Sequence, residues 1–219
     1  MDKQLGNLYI VGVGPGSSAY LTMQAKQIIE QSDVIAGYEL SLNAVRESLS
    51  NKKVLVQTVE NQNEMLDIVA REREIGKDCS ILRVGDPCYS SGIKELLDRF
   101  KDAQVIPGIS SIQVAAAKLG LVLEEVTVLT FHTLRGDMKI TKSMLLNSVR
   151  DGRITIVLVV ADFMPQDVAN FLISGGIDPK LPVTIFENLS LENERIFHGG
   201  LSGILKESFT YLSVMVIGV

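Results

Sequence analysis

Leu8-Tyr9-Ile10-Val11-Gly12-Val13-Gly14-Pro15-Gly16 is the stretch on which the fold turns. Its apolar half reads as a buried β-strand, and the alternating glycines close it in a tight turn. Glycine lets backbone approach backbone, or a bound small molecule, because no Cβ intervenes. Downstream, Leu21, Ala25, Ile28 and Ile29 recur at helical spacing. Strand, glycine turn and helix together put a nucleotide-like ligand at the carboxyl end of a parallel sheet.

The loop departs from a dinucleotide fingerprint, which stays a lesser alternative. Gly12-x-Gly14-x-x-Ser17 lacks the third glycine, and Pro15 removes a backbone donor that a pyrophosphate needs. No Gly-Lys-Ser/Thr follows, so a Walker-type phosphate loop is excluded. A tight turn without a ligand remains the plain alternative.

Beyond it, apolar runs alternate with helix-period segments. Strands are expected at 33–36, 53–59, 79–84 and 103–106, with helices between them, one reaching about residue 49 and one at 60–75 closed by Gly76. This is an α/β unit with a mostly parallel sheet. From Ser110 an Ala-rich helix runs to Lys118. Strands at 126–132, 154–160 and 182–188 then alternate with helices at 140–149 and 165–174. Strands at 195–198 and 211–217 follow without a long helix, which predicts antiparallel pairing and a mixed sheet. The predicted domains are residues 1–108 and 109–219, with the ligand cleft between them.

Bulk composition narrows the function. The chain has 219 residues, 46% hydrophobic and 21% charged, which fits a folded α/β protein rather than a disordered one. A net charge of −5 without a basic run, and no Trp, disfavour a nucleic-acid partner. The two cysteines, Cys79 and Cys88, suit a reducing compartment better than a disulfide scaffold. The two histidines, His132 and His198, have no metal-ligand spacing, so no metal is expected. The first residues lack a signal-peptide pattern, and the densest apolar run, 154–161, is far short of the ~20 residues that span a bilayer. The expectation is a cytoplasmic protein without a membrane segment.

Two further motifs carry chemistry. Gly85-Asp86-Pro87 ends a buried strand, where Asp86 can accept hydrogen bonds from a ligand or simply open a type I turn. Pro107-Gly108-Ile109-Ser110-Ser111 opens the Ala-rich helix, where a serine caps the helix or borders a ligand's carboxylate. His132, at a strand end, has no nucleophile pattern beside it. The segment from Glu187 to Glu194 reads as a solvated connection, with Glu187 still in its strand.

Taken in order, these pieces resemble the tetrapyrrole (precorrin) methylase family. The match rests on the first glycine loop with Leu21-Thr22, on Ser32-Asp33-Val34-Ile35-Ala36-Gly37-Tyr38-Glu39, and on Val84-Gly85-Asp86-Pro87-Cys88-Tyr89-Ser90. It continues through Val105-Ile106-Pro107-Gly108-Ile109-Ser110-Ser111 and Glu187-Asn188, so it spans essentially the whole chain. The resemblance implies two α/β domains around a ligand trough and S-adenosylmethionine as methyl donor. Gly-Val-Gly-Pro-Gly is the precorrin type of first loop, unlike those of the ribosomal RNA methylases and diphthine synthases of the family.

The Ala36-Gly37-Tyr38-Glu39 segment and Ser110-Ser111-Ile112-Gln113-Val114-Ala115 look most like the branch that methylates carbon 5 of a (cobalt-)precorrin-7 ring, giving precorrin-8 in cobalamin biosynthesis. Another ring carbon, a diphthine substrate or a non-catalytic S-adenosylmethionine-binding protein are the alternatives. By the resemblance, Pro15, Val84, Gly85, Asp86, Tyr89, Ser110, Ser111, Val160 and Leu189 contact the cofactor. Gly14, Gly16 and Arg135 face the tetrapyrrole, and Glu39 or Tyr38 accepts the displaced proton. The chain departs from the branch at Leu40, where Arg is usual, and at His132-Thr133-Leu134-Arg135, where His-Gly-Arg is usual. A homodimer is implied. Some relatives carry a fused second methyltransferase; ending at Val219, this chain is expected to work with a separate C15-methyltransferase/decarboxylase.

Overall fold

The computed structural model describes residues 4–89, 92–132 and 138–219. The chain divides into two compact units, Met1–Ser110 and Ser111–Val219.

In the first unit the elements run β1 Leu8–Gly12, α1 Met23–Gln31, β2 Val34–Gly37, α2 Glu39–Asn43, β3 Lys53–Val56, α3 Gln62–Glu74, β4 Cys79–Arg83, α4 Ile93–Arg99 and β5 Gln104–Ile106. The five strands form one parallel sheet in the order β3-β2-β4-β1-β5. Parallel strands need crossovers, and the helices supply them while covering both faces. On one face Leu8, Ile10, Val34 and Ile81 pack under Met65, Leu66 and Val69 of α3 and Leu96 of α4. On the other, Val11, Ile35 and Leu82 pack under Ala25 and Ile29 of α1. Alternation along each strand produces the two cores, since neighbouring residues point to opposite faces.

Local chemistry sets the helix ends. Thr22 caps α1, its hydroxyl accepting from the Ala25 N–H at 3.1 Å. At the end of α3, Gly76 sits at φ +86°. Its N–H donates to the Arg73 carbonyl, and the Lys77 N–H to that of Glu72, the paired bonds of a Schellman close. The helix expected to reach residue 49 is instead α2 plus a separate 3₁₀ turn at Arg46–Ser48. Val45 breaks it at φ −123°, placing its side chain with Leu42 and Ala44 in the α1-side core. The third strand ends at Val56 rather than residue 59: after a last bond from the Gln57 N–H to the Gly37 carbonyl, Asn61 captures the Thr58 N–H.

The second unit runs α5 Ser111–Leu119, β6 Thr127–Thr130, α6 Met138–Arg150, β7 Thr155–Leu158, α7 Pro165–Ser174, β8 Pro182–Glu187, β9 Arg195–Gly200, α8 Leu201–Ile204 and β10 Ser213–Ile217. Its sheet has the order β6-β7-β10-β8-β9. Only β6–β7 is parallel; the three pairs involving β10 and β9 are antiparallel, which makes the sheet mixed. Leu145, Leu172, Leu201 and Ile204 cover one face over Val157, Ile185 and Met215, and α5 packs against β10. The fold is therefore α/β, with one parallel and one mixed sheet.

Candidate active site

Within the first unit, β1 and β4 are neighbours, yet the helices that follow them pack on opposite faces. That divergence makes the carboxyl ends of the two strands the switch point of the sheet, the usual ligand position in such folds. All three glycine motifs meet there. A Cβ at Gly12 would stand 2.6 Å from the Gly108 nitrogen and 2.7 Å from the Gly85 carbonyl oxygen. One at Gly108 would stand 2.3 Å from the same Gly85 oxygen. Three backbones from the ends of β1, β4 and β5 thus touch directly, and only glycine fits the junction.

Hydrogen bonds lock the loops together. The Gly85 N–H donates to the Gly14 carbonyl at 2.7 Å, and the Val13 N–H to the Arg83 carbonyl at 2.9 Å. Pro15 and Gly16 are buried directly after this bridge. Gly85 itself is at φ +71°, and a Cβ there would have only the Ser110 Cα as neighbour, at 3.9 Å.

Asp86 does structural work. One carboxylate oxygen accepts from the Cys88 N–H at 2.7 Å and the other from the Gly108 N–H at 3.2 Å. The Tyr89 N–H bonds the Asp86 carbonyl at 3.1 Å, which bears out the turn reading. Asp86 remains half-buried, beside Val84 and the exposed Tyr89. Ser110 is buried immediately before α5, and Ser111 is its first residue. Tyr38 is the N-cap of α2, and its carbonyl accepts from Leu42 N–H and from the Ser41 hydroxyl. Glu39 is exposed in the first turn, where its charge complements the helix N-terminus.

In the second unit, Val160 follows β7 and is bridged to Phe163. Leu189 is buried in the turn after β8, between two residues in left-handed backbone, Asn188 at φ 53° and Ser190 at φ 73°. Strain of this kind in non-glycine residues is held only when the surroundings demand it. Here Asn188 N–H bonds the Leu212 carbonyl, and Glu194 accepts the Ser190 N–H while pairing with Lys118 at 2.7 Å. The acidic connection is thus cross-linked rather than merely solvated. Glu187 is buried, bonded to Arg195 at 2.6 Å and to the Thr210 N–H at 2.5 Å. Arg135 lies outside the described residues.

Titration separates the remaining candidates. Burial pushes the Cys79 thiol up to about 12, and burial with the Asp86 carboxylate raises Cys88, so neither is an activated nucleophile. Burial lowers His132, partly countered by a hydrogen bond to the Val159 backbone, which favours a neutral imidazole. Among the described residues no group of three His, Cys, Asp or Glu side chains could hold a metal, and no helix is long and apolar enough to cross a membrane. Arg83 and Gln57 were not singled out by sequence. Arg83 ends an apolar strand and reads there as a rim charge, yet it is 8% exposed and bonded to Gln57, itself 2% exposed.

Residues 7–204 match the Tetrapyrrole (Corrin/Porphyrin) Methylases. The chain belongs to this family. It is 35% identical over 215 residues to the probable cobalt-precorrin-7 C(5)-methyltransferase of Methanocaldococcus jannaschii, covering 95% of this chain and 96% of the relative. The cobalt-precorrin-4 C(11)-methyltransferase of the same organism is 28% identical, covering 95% and 86%. Among solved structures, the precorrin-6Y methylase of Archaeoglobus fulgidus superimposes with a TM-score of 0.69 at 25% identity, covering 96% and 97% of the two chains. A cobalt precorrin-4 methyltransferase superimposes at 0.79 with 20% identity, a likeness of fold. The tetrapyrrole methylase is thus an enzyme of methyl transfer, and the resemblance carried by the glycine, Gly-Asp-Pro and Pro-Gly motifs is borne out.

Proposed function

We propose that the protein transfers a methyl group from S-adenosylmethionine to carbon 5 of cobalt-precorrin-7, giving cobalt-precorrin-8 in cobalamin biosynthesis. The observation that carries this reading is the 35% identity, over nearly the full length of both chains, to the probable C(5)-methyltransferase. The convergence of Gly12, Gly85 and Gly108 at the sheet's carboxyl end supports it, since bare backbone there admits a closely held ligand.

Residues 1–108 and 109–219 are taken as its domains. Pro15, Val84, Gly85, Asp86 and Tyr89 of the first domain, with Ser110, Ser111, Val160 and Leu189 of the second, are the proposed cofactor contacts. Gly85 and Ser110 suit that role: both are buried, and the space on the Cβ side of Gly85 is bordered by the Ser110 Cα at 3.9 Å. The sulfonium supplies an already electrophilic methyl group. The S–CH₃ bond breaks as the ring-carbon–methyl bond forms, and the ring proton passes to a base. The chain's own contribution is then orientation, which can supply roughly 7–11 kcal/mol of a barrier. Glu39 or Tyr38 is the proposed proton acceptor, worth roughly 10²–10⁴-fold. Gly14, Gly16 and Arg135 are proposed to border the tetrapyrrole. The active form is proposed to be a cytoplasmic homodimer that cooperates with a separate C15-methyltransferase/decarboxylase.

Mass spectrometry of products after incubation with S-adenosylmethionine and a mixture of precorrins tests the reading. One added methyl on cobalt-precorrin-7 alone is the expected result. A methyl on another ring carbon reassigns the position, and binding without transfer overturns catalysis.

A further inference from the structure

Two arginines are buried among the described residues, and they are treated differently. Arg73 pairs with the Asp102 carboxylate and donates to the Gly6 carbonyl. Arg83 has no carboxylate partner among the described residues. Its Nη1 donates to the Gln57 side-chain oxygen at 2.9 Å and to the Leu82 carbonyl at 3.1 Å, while Nε and Nη2 have no hydrogen-bond acceptor among the described residues. A guanidinium stays charged when buried, and a buried charge without a counter-charge is costly. Burial accordingly lowers the Arg83 pKa, countered only by the Tyr38 phenol.

Its surroundings hold this charge in place. Gln57 N–H is tied to the Gly37 carbonyl at 2.8 Å, and its side-chain amide donates to Gln62 of α3 at 3.1 Å. The guanidinium is therefore braced from the ends of β2 and β3 and the start of α3. Arg83 also pairs in register with Gly12, and its carbonyl accepts the Val13 N–H. It is two residues from Gly85, on the end of the sheet where the glycine loops converge. An oriented, half-satisfied fork in that position is complementary to a carboxylate, which takes two parallel N–H···O bonds.

We infer that Arg83 is a carboxylate-binding residue of the active site, positioned by Gln57, and that it receives an acetate or propionate side chain of the tetrapyrrole. The inference rests on the proposed function for the identity of the ring. The methionine carboxylate of the cofactor offers the same chemistry, and binding of the two ligands distinguishes the sources.

The test uses full-length protein with Arg83→Met, Arg83→Lys and Gln57→Glu. Affinity for S-adenosylhomocysteine is read by calorimetry, and KM and kcat for the ring by methyl transfer. Arg83→Met is expected to raise the ring KM roughly ten- to a hundredfold while leaving S-adenosylhomocysteine affinity unchanged, with Arg83→Lys recovering part of the loss. Gln57→Glu is the decisive variant, because it supplies the missing carboxylate internally. It is expected to melt at a higher temperature than wild type and yet bind the ring more weakly, Gln62 turning its amide to donate. A purely structural Arg83 predicts stabilisation with unchanged ring KM, which overturns the inference. Loss of S-adenosylhomocysteine affinity with unchanged ring KM overturns the tetrapyrrole assignment and moves the carboxylate to the cofactor. A wild type that does not turn over the ring removes the functional reading itself, a failure separate from either outcome.

Discussion

Replacing Gly108 with alanine tests the junction that positions the site. The new Cβ would lie 2.3 Å from the Gly85 carbonyl oxygen, 2.7 Å from the Gly12 carbonyl carbon and 2.8 Å from its Cα. An ordinary carbon–oxygen contact is about 3.3 Å, so the backbones must separate by roughly 1 Å. None of the three obstacles is a side chain that can rotate away. The shift would stretch the Asp86–Gly108 bond from 3.2 Å and the Gly85–Gly14 bond from 2.7 Å past useful lengths. Overpacking and the weakened bonds together cost roughly 2–4 kcal/mol. For a chain of this size that lowers the first unit's melting temperature by about 5–15 °C. Differential scanning calorimetry reads this loss, and titration with S-adenosylhomocysteine should show affinity falling about tenfold or more. Gly76→Ala is the control, because its φ of +86° costs roughly 1–2 kcal/mol while its nearest obstacle is 3.4 Å away. It should lower stability without touching ligand affinity. A Gly108→Ala protein with wild-type melting temperature and affinity would refute the argument that three touching backbones build the site.

Other changes probe single links. Asp86→Ala removes the acceptor for both Cys88 and Gly108 N–H groups and should cost roughly 1–3 kcal/mol while leaving a folded protein. Calorimetry should show weaker S-adenosylhomocysteine binding, and unchanged affinity would remove Asp86 from the site. Glu187→Gln should destabilise the second unit by about 1 kcal/mol at neutral pH, the modest figure reflecting a 42% exposed Arg195 side chain. Burial raises the Glu187 pKa, but Arg195 and the Thr210 N–H outweigh it and hold the group below 4.5. The stabilisation is therefore complete above about pH 4.5 and lost as pH falls through the lower folded value. Melting curves should show the variant's deficit closing in acid, and a deficit constant from pH 7 to 3 would contradict the assignment.

Sequence alone determined the succession of elements and the family. Each strand of the first unit is an apolar run ended by a glycine or polar turn, and α7 begins at Pro165, a residue suited to a helix's first turn. These are local signals, and local backbone preference does not depend on distant chain. The helix expected through residue 49 failed because Val45 leaves helical geometry to join the core under α1, which only packing reveals. The insertion of β10 between β7 and β8 is non-local in the same way. The Gly-Asp-Pro letters predicted the turn at Asp86, but not that the Gly108 N–H, 22 residues on, would bond its carboxylate.

Arg83 marks the limit most clearly. Its letter says a charge at the end of a strand. Its burial, its brace by Gln57 and the absence of a described carboxylate partner exist only when β2, β3 and β4 lie side by side. The glycine loop at residues 12–16 likewise announced close approach by composition, because a missing Cβ is visible in the letter. What approaches it, Gly85 and Gly108, was decided by the strand order, since contacts between distant residues come from packing the whole sheet.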